Sequence, residues 1–113
     1  MGITVGQLRL THNNDIRAVF RSGKRVGDPQ LRVVFRRNGL DHPRFCVPVG
    51  RKVSKKAVVR NRIRRRIREA FRGPLGQLNQ GVDLVVLAQR SVAEMPWNEL
   101  TRRSNQLVGK LAA

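Results

Sequence analysis

The segment from Arg51 to Arg72 constrains the fold more than any other part of the chain. It contains eleven basic residues and a single acidic one, Glu69. Its apolar residues recur at spacings of three and four, which is the period of a helix with one buried face. The pattern predicts a basic helix from about Ala57 to Arg72 that packs on a core. The apolar face consists of Val59, Ile63, Ile67, Ala70 and Phe71.

The charge of this helix differs from that of an ordinary solvated helix face, which usually mixes both signs. Like charges four residues apart destabilise a helix by about 0.2–0.5 kcal/mol per pair. Such pairs follow one another here: Arg60–Arg64, Arg62–Arg66 and Arg64–Arg68. One glutamate cannot offset them. The segment therefore indicates an anionic binding partner rather than selection for helix stability alone.

The whole chain carries the same excess of positive charge. It has 24 Lys and Arg residues against 7 Asp and Glu, which gives a formal net charge of +17 and a pI near 12.0. Nucleic acid is the usual polyanionic partner of a chain this basic. Other interpretations of the charge stay open. They include a general RNA-packing or ribosomal protein, and a module that lies on anionic membranes or binds acidic proteins.

Hydrophobic periodicity in the first half of the chain predicts a helix and two strands. The short helix follows a cap at Asn13 or Asn14. The strands run from Leu31 to Phe35 and from Arg44 to Val49, and we expect them to pair as a hairpin. Pro48 has no backbone N–H to donate, so the second strand is expected at an edge of the sheet.

The second half of the chain continues with a strand and a helix. Gly73 and Pro74 are expected to end the basic helix. Val82 to Ala88 is a nearly continuous apolar run, typical of a buried central strand. A last helix is predicted to begin near Pro96. Its predicted buried face consists of Trp97, Leu100, Leu107, Val108 and Leu111.

The predicted architecture is an α/β (α+β) two-layer sandwich in the order α-β-β-α-β-α, and one extra short strand is allowed for. At 113 residues the chain is expected to form one domain, residues 1–113. Cys46 is the only cysteine, which excludes an internal disulfide and fits a reducing cytoplasm. No apolar run approaches the roughly 18–20 residues of a membrane span. We therefore expect a soluble, cytoplasmic protein without a membrane partner.

Candidate catalytic and metal-binding residues are few and scattered along the sequence. His12 and His42 lie in predicted turns and have no nearby partner of a catalytic type. The acidic residues are dispersed, whereas a two-metal nuclease needs clustered carboxylates. Asp83 interrupts an apolar strand and is expected at a strand start or on the surface. We expect no catalytic residue and no metal ligand, although a ribonuclease with paired histidines as general acid and base stays open.

The chain resembles the bacterial ribonuclease P protein component from Gly50 to Arg72, which reads GRKVSKKAVVRNRIRRRIREAFR. The signature of that family places an Arg-Asn-Arg core, here Arg60-Asn61-Arg62, at the opening of a basic helix. The resemblance implies the small subunit of a ribonucleoprotein that removes 5′ leaders from precursor tRNA, with the basic helix in a left-handed βαβ crossover. It also implies that the RNA subunit performs the hydrolysis with Mg²⁺. The protein itself would then bind no cofactor and need no obligate protein partner.

The resemblance assigns two sets of binding residues. The motif that contacts the catalytic RNA subunit matches Arg60, Asn61, Arg62, Arg64, Arg65, Arg66 and Arg68. The cleft that holds the single-stranded leader matches Ile16, Phe20, Val34, Arg51, Lys52, Lys56 and Arg90. The family usually has an aromatic residue at the position of Ile16 and often one near Val34. Base stacking on an aromatic ring contributes about 1–3 kcal/mol, so leader binding is expected to depend more on charge in this chain.

Overall fold

The structure, a computed structural model, describes residues 9–111. These residues form helices, strands and one short 3-10 helix in an order that confirms the predicted α/β class. The elements are α1 (Asn13–Ser22), β1 (Lys24–Gly27), β2 (Leu31–Arg37), β3 (Arg44–Cys46), α2 (Ala57–Gly76), β4 (Val82–Ala88), the 3-10 helix (Arg90–Glu94) and α3 (Trp97–Leu111). The extra short strand is β1. The expectation of one domain over residues 1–113 extends beyond the described range and stays a prediction.

The strands form one mixed sheet in the order β1-β2-β4-β3. β2 pairs with β4 in antiparallel register, with Leu31 opposite Ala88, so the apolar run of β4 is central, as predicted. The predicted hairpin between the strands that begin at Leu31 and Arg44 is wrong, because β4 lies between them and pairs in parallel with β3. The backbone N–H of Asn38 donates to the carbonyl of Gly81. The chain therefore crosses the start of β4 after Asn38 and does not turn back on β2.

β3 is an edge strand and is shorter than the predicted run from Arg44 to Val49. Its pairing ends at Cys46, two residues before Pro48, which has no N–H to donate to a ladder. Val47 and Val49 are nevertheless buried, so the predicted alternation continues beyond the strand. Because β3 and β4 are parallel and joined by α2, they form the expected βαβ unit. The left hand of its crossover stays a prediction.

The two faces of the sheet are covered to different extents. Successive residues of a strand point to opposite faces, and the face toward α2 and α3 forms the main core. That core includes Leu31, Val33, Ile63, Ile67, Phe71, Leu84, Val86 and Leu100. α1 covers part of the other face through a smaller cluster of Leu10, Val19, Val34 and Val85. Arg32 and Leu87 on this second face are only half-buried, so the α1 side of the sheet is partly accessible.

α2 continues past its predicted end at Gly73 and Pro74 and finishes at Gly76. Pro74 removes only one N–H from the hydrogen-bond ladder. Leu75 is fully buried and holds the additional residues on the main core. None of the helices within residues 9–111 is both long and apolar enough to cross a membrane.

The other two helices depart from the prediction at their N-termini. The cap residue of α1 is His12 rather than Asn13 or Asn14, and its side chain makes no capping hydrogen bond. In α3, Leu100 and the later apolar residues are buried as predicted, but Trp97 is 49% exposed and lies outside the core. Its position in the first turn carries the ring past the edge of the packed layer.

Candidate nucleic-acid interface

The basic helix α2 packs on the main core with one face and directs most of its charged residues away from that face. Its buried residues are Ile63, Ile67, Ala70, Phe71 and Leu75. Residues three and four apart lie on the same side of a helix, so the arginines divide between two flanks of the buried face. Arg64 and Arg68 lie on the flank beside Arg9. Arg62 and Arg66 lie on the flank beside the 3-10 helix.

A cavity of about 380 Å³ lies on the flank of α2 that faces Arg9. Arg9 reaches it because it forms a β-bridge with Phe45 at the edge of the sheet. Five arginines line this cavity, and we call them the arginine cup: Arg9, Arg64, Arg65, Arg68 and Arg72. The one carboxylate in the lining belongs to Glu69, and it is already paired with the guanidinium of Arg72 at 3.3 Å.

The crowding of cations in the arginine cup changes the ionisation of Arg68. Burial lowers the pKa of its guanidinium, and repulsion from Arg9 and Arg64 lowers that pKa further. Both causes disfavour the charged form. An anion bound in the cup would offset the repulsion and replace the lost hydration. The site therefore favours a ligand such as a phosphate group, which accepts hydrogen bonds from several guanidinium groups at once.

Two residues that were matched to the RNA-subunit motif also hold the beginning of α2. Arg60 donates from Nη1 to the carbonyl oxygens of Ser54 and Lys55, both at 3.0 Å. Arg64 donates to Oδ1 of Asn61 at 2.8 Å, one turn earlier in the helix. Arg64 also donates to the carbonyl of Val49 at 3.3 Å, so both arginines fix the segment before α2 against the helix. Arg60 and Arg64 therefore contribute local order as well as positive charge.

On the opposite flank, Arg62 and Arg66 contact the 3-10 helix. Arg62 forms an exposed ion pair with Glu94 at 3.2 Å, a kind of pair that adds little stability. Arg66 is half-buried and donates to the carbonyl oxygens of Ala93, at 3.1 Å, and Met95. The guanidinium of Arg66 thus binds the protein's own backbone, and it holds α2 against the 3-10 helix.

The apolar residues matched to the leader cleft lie in and around α1. Phe20 stands on the helix with 41% of its surface exposed. Ile16 is half-buried against the smaller cluster, and Val34 is fully buried within it. Val34 therefore supports α1 from below and does not reach the surface, which corrects its expected place in an open cleft. Leu87, which the sequence did not single out, lies on the same face of the sheet and is half-buried.

The basic residues matched to the leader cleft emerge at one edge of the sheet. Parallel neighbouring strands end at the same edge. Arg51 and Lys52 follow β3, and Arg90 follows its parallel neighbour β4. All three are exposed, as is Lys56, the cap residue of α2. Arg90 and Val59 of α2 also line a common cavity of about 370 Å³, which places Arg90 beside the first turn of the basic helix.

Asp83 and His42 each pair with a neighbouring side chain. Asp83 lies near the start of β4, as expected, but it is buried. It accepts hydrogen bonds from Arg44 at 2.9 and 2.7 Å and from Asn38 at 2.9 Å. Nδ1 of His42 lies 2.9 Å from the exposed carboxylate of Asp41. The expectation that this histidine has no nearby partner of a catalytic type is therefore wrong. Within residues 9–111, no three His, Cys, Asp or Glu side chains form a group that could hold a metal ion.

The sequence did not assign Arg9 or Arg72 to either set of binding residues. Arg9 lies 51 positions before Arg60 in the chain, and only its β-bridge with Phe45 brings it to α2. No local pattern predicts such a bridge. For Arg72 a signal exists, because it follows Arg65 and Arg68 at spacings of seven and four on the same side of the helix.

Comparisons with known proteins agree with the resemblance carried by the Arg60-Asn61-Arg62 motif. Residues 6–112 match the family model described as Ribonuclease P. The chain is 34% identical over 106 residues to the ribonuclease P protein component of Aliivibrio fischeri, covering 94% of this chain and 90% of that protein. It is 36% identical over 106 residues to that of Vibrio vulnificus, covering 94% and 89%. The RNase P protein from Thermotoga maritima superposes with a TM-score of 0.78 at 30% identity, covering 90% of this chain and 96% of that one. The Staphylococcus aureus protein superposes with a TM-score of 0.75 at 29% identity, covering 93% and 94%.

Proposed function

The chain belongs to the ribonuclease P protein family, and we propose that it binds the catalytic RNA subunit and the single-stranded 5′ leader of precursor tRNA. Members of this family are protein components of an endoribonuclease. In the proposed role the chain assists Mg²⁺-dependent removal of the leader, which gives the mature 5′ end of the tRNA. The RNA subunit carries the hydrolysis and the protein contributes binding. Its proposed place of action is the cytoplasm.

The observation that carries this proposal is the arginine cup. It gathers five guanidinium groups around one cavity and provides a single carboxylate, which is already paired. Phosphates of a folded RNA repel one another, and a protein that places cations between them reduces that repulsion. The RNA subunit is the proposed ligand of the cup, of the exposed Asn61 in its lining, and of the exposed Arg62 on the opposite flank of α2.

The α1 side of the sheet is the proposed leader site. Phe20 offers an exposed ring for stacking, and Arg51, Lys52 and Arg90 supply positive charge from the adjoining sheet edge. A single strand with splayed bases needs this combination of an aromatic surface and a cationic track. Ile16 and the buried Val34 add no further ring. Charge therefore supplies more of the proposed leader affinity than stacking does.

The Mg²⁺ of the proposed reaction would be held by RNA and not by this protein. The buried carboxylate of Asp83 is occupied by Arg44 and Asn38, and Asp15 also contacts Arg44 at 3.4 Å. Asp83 and Asp15 therefore offer no open pair of carboxylates, and within residues 9–111 no three His, Cys, Asp or Glu side chains form a group that could hold a metal ion. What the protein contributes is cationic charge that reduces the Mg²⁺ needed to fold and bind RNA.

The proposal is tested by cleavage of precursor tRNA with the cognate RNA subunit at limiting Mg²⁺. Adding the protein should accelerate leader removal and lower the Mg²⁺ concentration at half-maximal rate. If the rate stays unchanged over a range of protein concentrations that saturates the RNA, the proposal is wrong. A general RNA-packing protein would also bind the RNA subunit. Comparing the affinity of the assembled complex for precursor and mature tRNA separates the two, because only a leader-binding subunit favours the precursor.

A variant pair tests the leader site itself. Phe20→Ala removes the exposed ring of α1, and Leu40→Ala removes an apolar side chain of similar exposure, 44% against 41%. We expect Phe20→Ala to weaken precursor binding by about 1–3 kcal/mol and to leave mature tRNA binding unchanged. Leu40→Ala should alter neither. Equal effects of the two variants would exclude Phe20 from the leader site.

A further inference from the structure

Trp97 lies outside the main core, and the proposed function gives it no role. It is the only tryptophan of the chain and begins α3. The apolar period of α3 predicts that it is buried, yet 49% of its surface is exposed. Tryptophan is enriched at interfaces, because its ring is large and apolar and its N–H is polar. The ring is therefore a candidate contact surface.

The ring is held in a fixed relation to the basic helix. The guanidinium carbon of Arg66 lies over Trp97 at 6.0 Å from the ring centroid, within the range of a cation–π contact. Arg66 cannot swing away freely, because it also donates to the backbone carbonyls of Ala93 and Met95. Its Nε is buried and finds no partner among the residues described. The guanidinium is therefore held over one side of the ring before any ligand binds.

The surroundings of the ring favour a polyanion. Arg62, one turn before Arg66, remains more than half exposed although it pairs with Glu94. Arg65 on the outer side of the same helix is exposed as well. A second copy of a chain with a net charge of +17 would be repelled. RNA matches both features, because its phosphates suit the arginines and every base offers a flat π-face to the ring.

We propose that Trp97, backed by Arg66, is a stacking platform for one unpaired nucleobase of the RNA subunit. This inference rests on the proposed function, since it names the part of the RNA that one further residue recognises. The base lies on the ring surface that Arg66 leaves uncovered, and the proposed partner of a flanking phosphate is Arg62, which lies one turn before Arg66 on the same flank of α2. The 3-10 helix, through its carbonyls, is the element that sets the platform against α2.

The chain provides its own reporter for this contact. Trp97 is the only tryptophan and there is no tyrosine, so intrinsic fluorescence reports on this ring. Saturation with the RNA subunit should quench the emission and protect it from acrylamide. Inorganic polyphosphate, a polyanion without bases, should bind without comparable quenching. An emission unchanged by saturating RNA overturns the proposal, and so does equal quenching by polyphosphate. Quenching that rises with protein concentration alone would indicate contact between copies and would also overturn it.

Substitutions provide the second measurement. Trp97→Ala should weaken binding of the RNA subunit about 5- to 150-fold, the range expected for one base stacked on an aromatic ring. Trp97→Phe keeps a ring and should stay within about 5-fold of the wild type. Leu40→Ala, with a similar exposed fraction, is the control and should bind like the wild type. If folded Trp97→Ala binds as tightly as Leu40→Ala, or if folded Trp97→Phe binds as weakly as Trp97→Ala, stacking is excluded.

Thermal unfolding of each variant shows whether a loss of binding reflects loss of structure. Should Trp97→Ala unfold, the wild-type fluorescence titration and Trp97→Phe still decide the question. The two proposals fail in different ways. If the wild-type protein does not bind the RNA subunit at all, the proposed function is wrong. If it binds tightly with an unaffected Trp97, only the stacking platform is wrong.

Discussion

The buried ion pair between Arg44 and Asp83 gives the sharpest prediction for stability. The side chain of Asp83 is 6% exposed and that of Arg44 is 20% exposed. Two hydrogen bonds, at 2.9 and 2.7 Å, join them across β3 and β4. The hydrogen bond to Asp83 raises the pKa of Arg44, although burial opposes that change. Asp83→Leu would leave the guanidinium with only the more exposed Asp15 at 3.4 Å.

The size of the effect follows from this geometry. Removing one partner of a buried pair costs about 3–5 kcal/mol, because the other charge stays buried without compensation. A chain of this size loses about 4 °C of Tm per kcal/mol, so Asp83→Leu should lower Tm by about 12–20 °C. Arg44→Met should have an effect of similar size. The double variant replaces both charges with apolar groups and should be less destabilised than either single variant, with a coupling free energy of at least about 2 kcal/mol.

Guanidinium chloride unfolding, followed by far-UV circular dichroism and by Trp97 fluorescence, measures these free energies. The exposed pair of Arg62 and Glu94 is a matched control, with side chains 55% and 81% exposed. Its Arg62→Met and Glu94→Leu cycle should give a coupling below about 1 kcal/mol. The reasoning is refuted if Asp83→Leu and Arg44→Met each cost less than about 1 kcal/mol, or if their effects simply add.

Three further predictions concern pH, backbone conformation and RNA contact. Burial raises the pKa of the Cys46 thiol from 9.0 to about 11. The unfolded thiol therefore ionises first as the pH rises. The free energy of unfolding should be unaffected below pH 9 and fall by at most about 2–3 kcal/mol between pH 9 and 11, a slope that Cys46→Ala should lack in denaturant titrations. Gly27 has a φ of 98°, so Gly27→Ala should lower stability by about 1–3 kcal/mol. Gly50→Ala, whose Cβ meets open space, is the control and should change the free energy of unfolding by no more than about 0.5 kcal/mol. Thermal unfolding measures both variants. Arg65→Ala and Arg68→Ala should each weaken binding of the RNA subunit and reduce its log–log salt slope by about 0.7–1, while Tm stays unchanged; an unaltered slope would exclude a phosphate contact.

Local sequence patterns predicted the helices and strands better than they predicted which strands pair with one another. The basic helix and the central strand from Val82 to Ala88 could be predicted because their periodicity lies within one segment. The partner of β3 could not, since Asn38 and Gly39 have the residue types of a hairpin turn. Only the tertiary bond from Asn38 to the Gly81 carbonyl shows that the chain crosses the start of β4 instead.

The residues of the candidate site were likewise only partly predictable from the sequence. The arginines of α2 were visible as a run, but sequence could not tell which of them bind the protein itself. Arg66 looks like its neighbours in the sequence, and only the fold places two backbone carbonyls against it. Val34 alternates with arginines along β2 and was matched to the leader cleft. It is buried because α1 packs over it, and alternation within a strand carries no information about that helix.

The β-bridge that brings Arg9 into the arginine cup has a consequence for the behaviour of the protein at high concentration. β3 is an edge strand, and unpaired edge strands promote association between sheets and aggregation. The backbone N–H of Leu10 donates to the carbonyl of Phe45 at 2.9 Å, so this short segment occupies part of that edge. One contact thus both shields the edge and places a cation beside the proposed RNA surface. Shortening the chain past Leu10 would remove the two together, and solubility would fall along with affinity for RNA.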